Sequence, residues 1–167
     1  MPKNIKKINA EPIFSVIVKA LSPGFLLGCL HLIFTYSGFY LNSGWDWIDI
    51  PLHITGGACV AFAAAMFIAY AIKIKKVPPL PWYFFILSVI GVVILVGVVW
   101  EFYEFLADVF YPVILRQPSN ADTMKDLADD LIGGFLLSIL VGQKILKNNS
   151  QAIHGTVTQD LKTRHHV

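Results

Sequence analysis

Three sets of ionisable residues stand at helical spacing and could form one chemical site. Asp49 and His53 are four residues apart, which places both on one face of a helix. Glu101 and Glu104 are three residues apart and share a face in the same way. The third set, at steps of four residues, consists of Asp122, Asp126 and Asp130. An imidazole among carboxylates could bind a divalent metal, act in acid–base catalysis, or relay protons or cations through a membrane.

The segments that carry these residues are apolar. Of the 167 residues, 56% are hydrophobic and only 14% are charged, whereas a soluble domain carries about 25% charged residues. A membrane-spanning helix needs about 20 mostly apolar residues, and four segments satisfy this requirement: 22–41, 51–72, 81–108 and 124–145. The composition and the net charge of +2 exclude a disordered chain, a coiled coil and a nucleic-acid-binding protein.

We therefore predict an all-α integral membrane protein, a bundle of four transmembrane helices with an N-terminal interfacial helix. The bundle is expected to occupy residues 22–146. Residues 1–21 form the cytoplasmic or interfacial segment that precedes it, and the polar residues 147–167 form a flexible cytoplasmic tail.

The start of the first span can be interpreted in two ways. Residues 13–20 are apolar but include Lys19, which is typical of a helix lying at the membrane surface. Ser22 and Pro23 would then open the first span, as an N-cap followed by a proline in the first turn. The alternative is a single long helix kinked at Pro23.

Lysines are distributed unevenly among the connections between the spans. Positive residues in short loops mark the cytoplasmic side of a membrane. They stand at both ends of the bundle and between the second and third spans: Lys3, Lys6, Lys7, Lys19, Lys73, Lys75, Lys76, Lys144 and Lys147. Residues 42–50 contain no basic residue, and residues 109–123 contain only Arg116. This pattern predicts a multi-pass protein of the plasma (inner) membrane with both termini in the cytoplasm.

Most acidic residues then fall at the outer ends of the spans. Nine of the eleven lie there: Asp46, Asp49, Glu101, Glu104, Asp108, Asp122, Asp126, Asp129 and Asp130. Carboxylates that face lipid are costly, so these residues should face the bundle interior. Glycine pairs at 56–57 and 133–134 lie just deeper and would let two helices approach closely. We predict one converged polar site; the alternative is a set of unrelated, solvated acids at helix ends.

The order of these motifs resembles that of YjdF-type inner-membrane proteins. Residues 49–53, Asp-Ile-Pro-Leu-His, followed by Gly57, are similar to the D-x-x-x-H-x-x-x-G of that family. Residues 101–104 are similar to its E-x-x-E, and residues 122–126 and 131–134 are similar to its D-T-x-x-D and L-I-G-A. The resemblance covers roughly residues 46–137 and implies a small multi-pass membrane protein with a polar site, without an established reaction.

The broader VanZ-like group, which is associated with glycopeptide resistance, is similar as well. Its motifs differ at two positions of this chain. Glu104 stands where that group has Gln, and Asp130 stands where it has Asn. These differences favour the YjdF-type family.

Two basic residues lie close to the acids in the sequence. Lys125 directly precedes Asp126, so it should point about 100° away from that residue around the helix. Arg116 could cover the site from the connection between the last two spans. Because neither residue can balance four or more carboxylates, we predict a divalent metal ion at the site, whether zinc, manganese, iron or magnesium.

The leading hypothesis is a metal-binding site at the outer interface that acts on a lipid or cell-envelope substrate. The expected metal ligands are Asp49, His53, Glu104, Asp122 and Asp126. The expected catalytic residues are Glu101 and Asp130.

Two other classes of function stay open. A proton- or cation-coupled carrier would need a deeper polar path, for which the sequence offers only His31, Thr35, Ser88 and Ser138. Since four spans are few for a carrier, it would form a homodimer. The third class is a non-catalytic structural or accessory membrane protein. His31 itself is expected to be a neutral packing residue of the first span.

Overall fold

The fold consists of four helices, seen in a computed structural model that describes residues 11–38, 46–111 and 116–164. They are α1 (Ile13–Tyr36), α2 (Asp49–Lys73), α3 (Trp82–Phe110) and α4 (Asn120–Arg164), with a short 3-10 turn, Asp46–Ile48, before α2. The described ranges contain no strand, so the all-α prediction is confirmed for them. The lysines of residues 1–10 and the predicted end of the first span, residues 39–41, lie outside the described residues.

Three of these helices are long and apolar enough to cross a membrane. They are α1, α2 and α3, with 24, 25 and 29 residues. Helix α4 does not qualify over its described residues, and its first turns are strongly charged: Asp122, Lys125, Asp126, Asp129 and Asp130. The fourth span, 124–145, therefore stays a prediction. The helix itself continues to Arg164, through most of the segment predicted to be a flexible tail.

The N-terminal interfacial helix predicted from the sequence is not a separate element. Helix α1 runs without interruption from Ile13 to Tyr36 and contains Pro23. A proline has no N–H for the carbonyl four residues earlier, here that of Lys19. The hydroxyl of Ser22 donates to this carbonyl instead, at an Oγ···O distance of 3.4 Å. This local replacement lets the helix continue past Pro23, so the single-helix alternative is the one found.

Helix α2 lies at the centre of the bundle. It packs against all three other helices, most extensively against α4, which also packs against α3. The buried core beneath the polar residues is small and aliphatic, apart from one phenylalanine: Ala61, Ala64, Ala65, Phe85, Val89 and Val93. Large side chains on the outer faces of the three apolar helices stay exposed, for example Phe25 at 72% and Leu95 at 64%. These outer faces suit contact with lipid.

Two glycines determine how closely α2 and α4 approach. A Cβ atom on Gly57 would overlap the backbone carbonyl of Asp130, and one on Gly133 would overlap the backbone carbonyl of Ile54. The two backbones are therefore in direct contact, as small residues permit between membrane helices. On the α3 side, a Cβ on Gly134 would lie only 2.8 Å from Cγ2 of Val93.

We expect Gly57→Ala to destabilise the protein by about 1–3 kcal/mol, the usual cost of an oversized group in a packed core. The clash is with a backbone atom, which cannot rotate away. Gly91→Ala is the matched control, because a Cβ there would meet no described atom within 4 Å. It should melt at or slightly above the wild-type temperature, since alanine favours helix. Equal thermal unfolding of both variants in detergent would contradict the backbone contact.

Candidate functional site

His53 is the centre of the polar cluster, buried in the second turn of α2 at 7% exposure. Its Nε2 lies 3.6 Å from Oδ1 of Asp49, one turn earlier, and 3.9 Å from Oδ1 of Asp126 on α4. Its Nδ1 lies 3.4 Å from Oδ1 of Asp130. The close approach of α2 and α4 thus brings carboxylates from two helices to both nitrogens of one imidazole.

Lys125 forms the positive centre of one half of the cluster. Its Nζ lies 2.5 Å from Oδ1 of Asp126 and 3.1 Å from Oδ2 of Asp49, and it lies 3.9 Å from both Asp122 and Asp129. The prediction that Lys125 points away from Asp126 is wrong. Its backbone position is offset around the helix, but the long aliphatic stem lets the ammonium group reach the acids.

Helix α3 supplies Glu101 and Glu104, both almost fully buried at 5% and 4% exposure. A ligand atom of each lies within 4.8 Å of the other and of a ring nitrogen of His53. The pair therefore turns toward the bundle interior, as their spacing predicts.

The connection from α3 to α4 supports these glutamates. The Gln117 side-chain amide donates to Oε2 of Glu101 at 2.6 Å and to the Glu101 backbone carbonyl at 3.0 Å. The backbone amides of Arg116 and Gln117 both donate to the carboxylate of Asp108, at 2.7 to 3.0 Å. Gln117 and the role of Asp108 were not predicted from the sequence. Asp108 follows Glu104 by four residues, but its partners are backbone amides of a connection, which helical spacing does not reveal.

One oxygen of Glu101 has no such support. Its Oε1 is buried and has no hydrogen-bond partner among the described residues. Oδ2 of Asp129 is also buried without a hydrogen bond in the described part of the chain, although the ammonium of Lys125 lies 3.9 Å away. Buried polar atoms nearly always have a partner, so Glu101 Oε1 is the atom for which an additional ligand is most expected.

Within the described ranges, two groups of three residues have the geometry to hold a metal ion. One is Asp49, His53 and Asp126, and the other is His53, Glu101 and Glu104. Among the residues predicted from the sequence, Asp122 belongs to neither group, and Asp130 contacts His53 instead. Burial raises the pKa of the Asp122 carboxyl, an effect that nearby Lys125 partly offsets, which fits a position at the rim of the cluster.

Glu101 lies far along α3 from its first residue. It follows Trp82 by 19 positions, which is roughly 28 Å along the helix. The hydrocarbon core is about 30 Å thick, so a helix that entered the core at Trp82 would reach its other side near Glu101. The lysine pattern predicts that this side is the outer one.

Deeper polar side chains do not continue this cluster. Three of the four residues that could line a carrier path donate to carbonyls of their own helices: Thr35 to His31 at 2.9 Å, Ser88 to Phe84 at 2.8 Å and Ser138 to Phe135 at 2.9 Å. The fourth, His31, packs edge to face against Trp100 of α3, with ring centroids 5.2 Å apart. This arrangement offers little support for a polar path across the membrane.

Comparison with known proteins gives one match. Residues 8–148 match the family described as "Predicted membrane protein (DUF2238)". The resemblance to YjdF-type proteins is consistent with this family, to which YjdF belongs, whereas the link to the VanZ-like group stays a prediction. No curated protein and no solved structure matches the chain. The match covers all three sets of site residues on α2, α3 and α4, and the chain therefore belongs to the DUF2238 family of predicted membrane proteins.

Proposed function

We propose that the protein binds one divalent transition-metal ion through His53, Glu101 and Glu104. The observation that carries the proposal is the buried Oε1 of Glu101, which has no hydrogen-bond partner among the described residues. Leaving such a group unsatisfied costs about 1–3 kcal/mol, and more if it is charged. A metal ion between the two glutamates and the imidazole would satisfy it, and one nitrogen with two carboxylate oxygens suits zinc, manganese or ferrous iron.

The neighbouring group, Asp49, His53 and Asp126, is the weaker candidate for the metal. The ammonium of Lys125 already lies within 3.1 Å of both aspartates and supplies the positive charge there. A second cation at the same oxygens would have to compete with it. We therefore place the ion on the α3 side of His53, with Glu101 as a ligand instead of a catalytic residue.

The surroundings of the proposed ligands would hold them in position. The carboxylate of Asp130, 3.4 Å from Nδ1 of His53, would orient the imidazole, as neighbouring carboxylates do for metal-binding histidines. The amide of Gln117 fixes one oxygen of Glu101 and leaves the other for the ion. The three ligand atoms all lie within 4.8 Å of one another, and ligands on opposite sides of one ion lie about 4 Å apart, so the three side chains already converge on one region.

The wider function remains the one expected from the sequence. We propose a multi-pass protein of the plasma (inner) membrane whose metal site acts on a lipid or cell-envelope substrate, with Asp130 beside the reacting centre. The carrier hypothesis has less support, because the deeper hydroxyl groups are bonded within their own helices.

Metal content should be measured on protein purified in detergent without chelator. We expect one transition-metal ion per chain and a melting temperature that falls with a chelator and recovers when the same metal is restored. A ligand present at about 100 times its Kd stabilises the folded state by about 2.7 kcal/mol. Glu104→Gln and His53→Ala should lose both the metal and the effect of the chelator.

Two further variants sharpen this experiment. Glu11→Gln makes the same chemical change far from the cluster, where Glu11 pairs with Lys19, and should behave as wild type. Asp122→Asn tests whether Asp122 is a metal ligand. The variant should keep the metal if the ligands are His53, Glu101 and Glu104, and lose it if the larger set predicted from the sequence is correct. Wild-type protein that lacks stoichiometric metal and melts identically with and without chelator would refute the proposal and favour carboxylates that share protons.

Lys125→Met should strengthen metal binding by about tenfold or more. The substitution roughly keeps the length of the side chain and removes a positive charge from the half of the cluster that shares His53 with the proposed ion, and about 1.4 kcal/mol of relieved repulsion corresponds to tenfold. Lys125→Arg keeps the charge and should bind as wild type does. Weaker binding by Lys125→Met, measured by competition with a metal indicator, would mean that Lys125 supports the metal site.

The proposed topology can be tested by cysteine labelling. Single cysteines at Ser43, Lys75 and Asn120 would be introduced into a chain in which Cys29 and Cys59 are replaced by alanine. An impermeant reagent added to intact cells should label positions 43 and 120 only, because the basic connection at Lys75 is expected in the cytoplasm. Labelling at position 75 alone would invert the orientation.

A further inference from the structure

A cavity of about 230 Å³ lies between α1, α2 and α3, directly beneath the polar cluster. Its walls are mostly glycine backbone and aliphatic side chains, while His53 and Asp130 line the end nearest to the proposed metal ion. Along α1 the lining runs from Gly24 to His31, which is about 10 Å at 1.5 Å per residue. The cavity is therefore a slot that follows the helix axes, apolar along its length and polar at one end. We call it the α1–α3 slot.

Three of the five glycines that line this slot leave space beside them, whereas the other two, Gly57 and Gly97, lie against Asp130. A Cβ atom on Gly28 would meet no described atom within 4 Å. On Gly24 and Gly56 the nearest atoms would be 3.8 Å and 3.7 Å away, an ordinary contact distance. These positions differ from Gly57, where a Cβ would overlap backbone. A larger residue would fit at Gly28 without disturbing the helices, and it would take up the volume of the slot.

The slot lies between two candidate membrane spans that barely touch each other. Helices α1 and α3 both pack on α2, but in the described part of the chain they have almost no contact with each other. The ring contact between His31 and Trp100 joins them at the polar end. Both helices are long and apolar enough to cross a membrane, so in a bilayer a gap between them would open to hydrocarbon.

We propose that the α1–α3 slot holds one acyl chain of a bilayer phospholipid, with the polar part of the lipid beside His53. Water does not suit the slot, because a buried water needs two to four polar partners and the walls provide them only at the His53 end. An apolar cavity of about 150 Å³ in another protein holds benzene, so 230 Å³ accommodates a segment of chain. A second protein helix is too wide, at about 10 Å.

An acyl chain in the slot implies that the substrate of the proposed metal site is a phospholipid. A lipid whose chain enters the slot would present its polar group to His53 and to the ion that His53 is proposed to bind. That assignment rests on the proposed function, whereas the binding of the chain itself does not. The two are therefore tested by separate measurements on the same samples.

The test uses Trp100, which lines the slot, as the only tryptophan, with Trp45, Trp47 and Trp82 replaced by phenylalanine. The protein is reconstituted in phosphatidylcholine vesicles, with or without bromine atoms on the acyl chains, since bromine quenches tryptophan fluorescence on contact. Trp100 should be strongly quenched. Gly28→Leu, and Val96→Phe from the opposite wall, should lose most of this quenching because their side chains fill the slot.

Gly91→Leu is the matched control, since it adds the same side chain to an exposed position of α3 outside the slot. It should be quenched as the parent is. Equal quenching in the parent and in both slot-filling variants would overturn the proposal, as would a Trp100 that bromine does not quench. If Trp100 is quenched in protein that carries no metal, only the proposed metal site is contradicted. If the protein contains metal but Trp100 is not quenched, only the proposed acyl-chain binding is contradicted.

Discussion

The direct backbone contact between α2 and α4 is the constraint on which the site depends. Each helix contributes one glycine and one carbonyl: Gly57 meets the carbonyl of Asp130, and Gly133 meets that of Ile54. No side-chain rearrangement can compensate for a larger residue, since both partners are backbone. The contact lies one turn from His53 and places the carboxylates of α4 against its imidazole. Helix α3, held against α4 at Gly134, then brings its two glutamates to the other side.

The charges of the cluster divide it into two chemically different halves. Between α2 and α4, the ammonium of Lys125 balances aspartates from both helices, so this half is complete within the protein. On the α3 side, the neutral amide of Gln117 donates to one oxygen of Glu101, and no described cation pairs with that carboxylate. Because a buried carboxylate needs a partner, the second half is where we propose the external cation. His53 stands between the halves and contributes to both.

The sequence predicted which residues share a helix face, but it did not predict where long, flexible side chains place their charges. Helical spacing placed Asp49, His53 and the two glutamates of α3 toward one interior region, because three- and four-residue steps determine a helix face. The position of Lys125 could not be obtained in this way, since a flexible four-carbon stem moves its charge away from its backbone direction. The slot could not be predicted from the sequence either. A glycine that leaves space beside a helix, such as Gly28, and a glycine that permits close helix packing, such as Gly57, cannot be distinguished by residue type. Helix α1 continued through Pro23 for a local reason, the hydroxyl of Ser22.

The length of α3 has a consequence for the membrane around the protein. Its 29 residues extend about 43 Å, well beyond a hydrocarbon core of about 30 Å, and large apolar side chains stay exposed along it from Trp82 to Phe110. A spanning helix longer than the core tilts, kinks or thickens the bilayer around it, at a fraction of a kcal/mol per ångström of mismatch. If α3 spans the membrane as predicted, the depth of Glu101 and Glu104 would vary with bilayer thickness, and lipid chain length would change how much water reaches them.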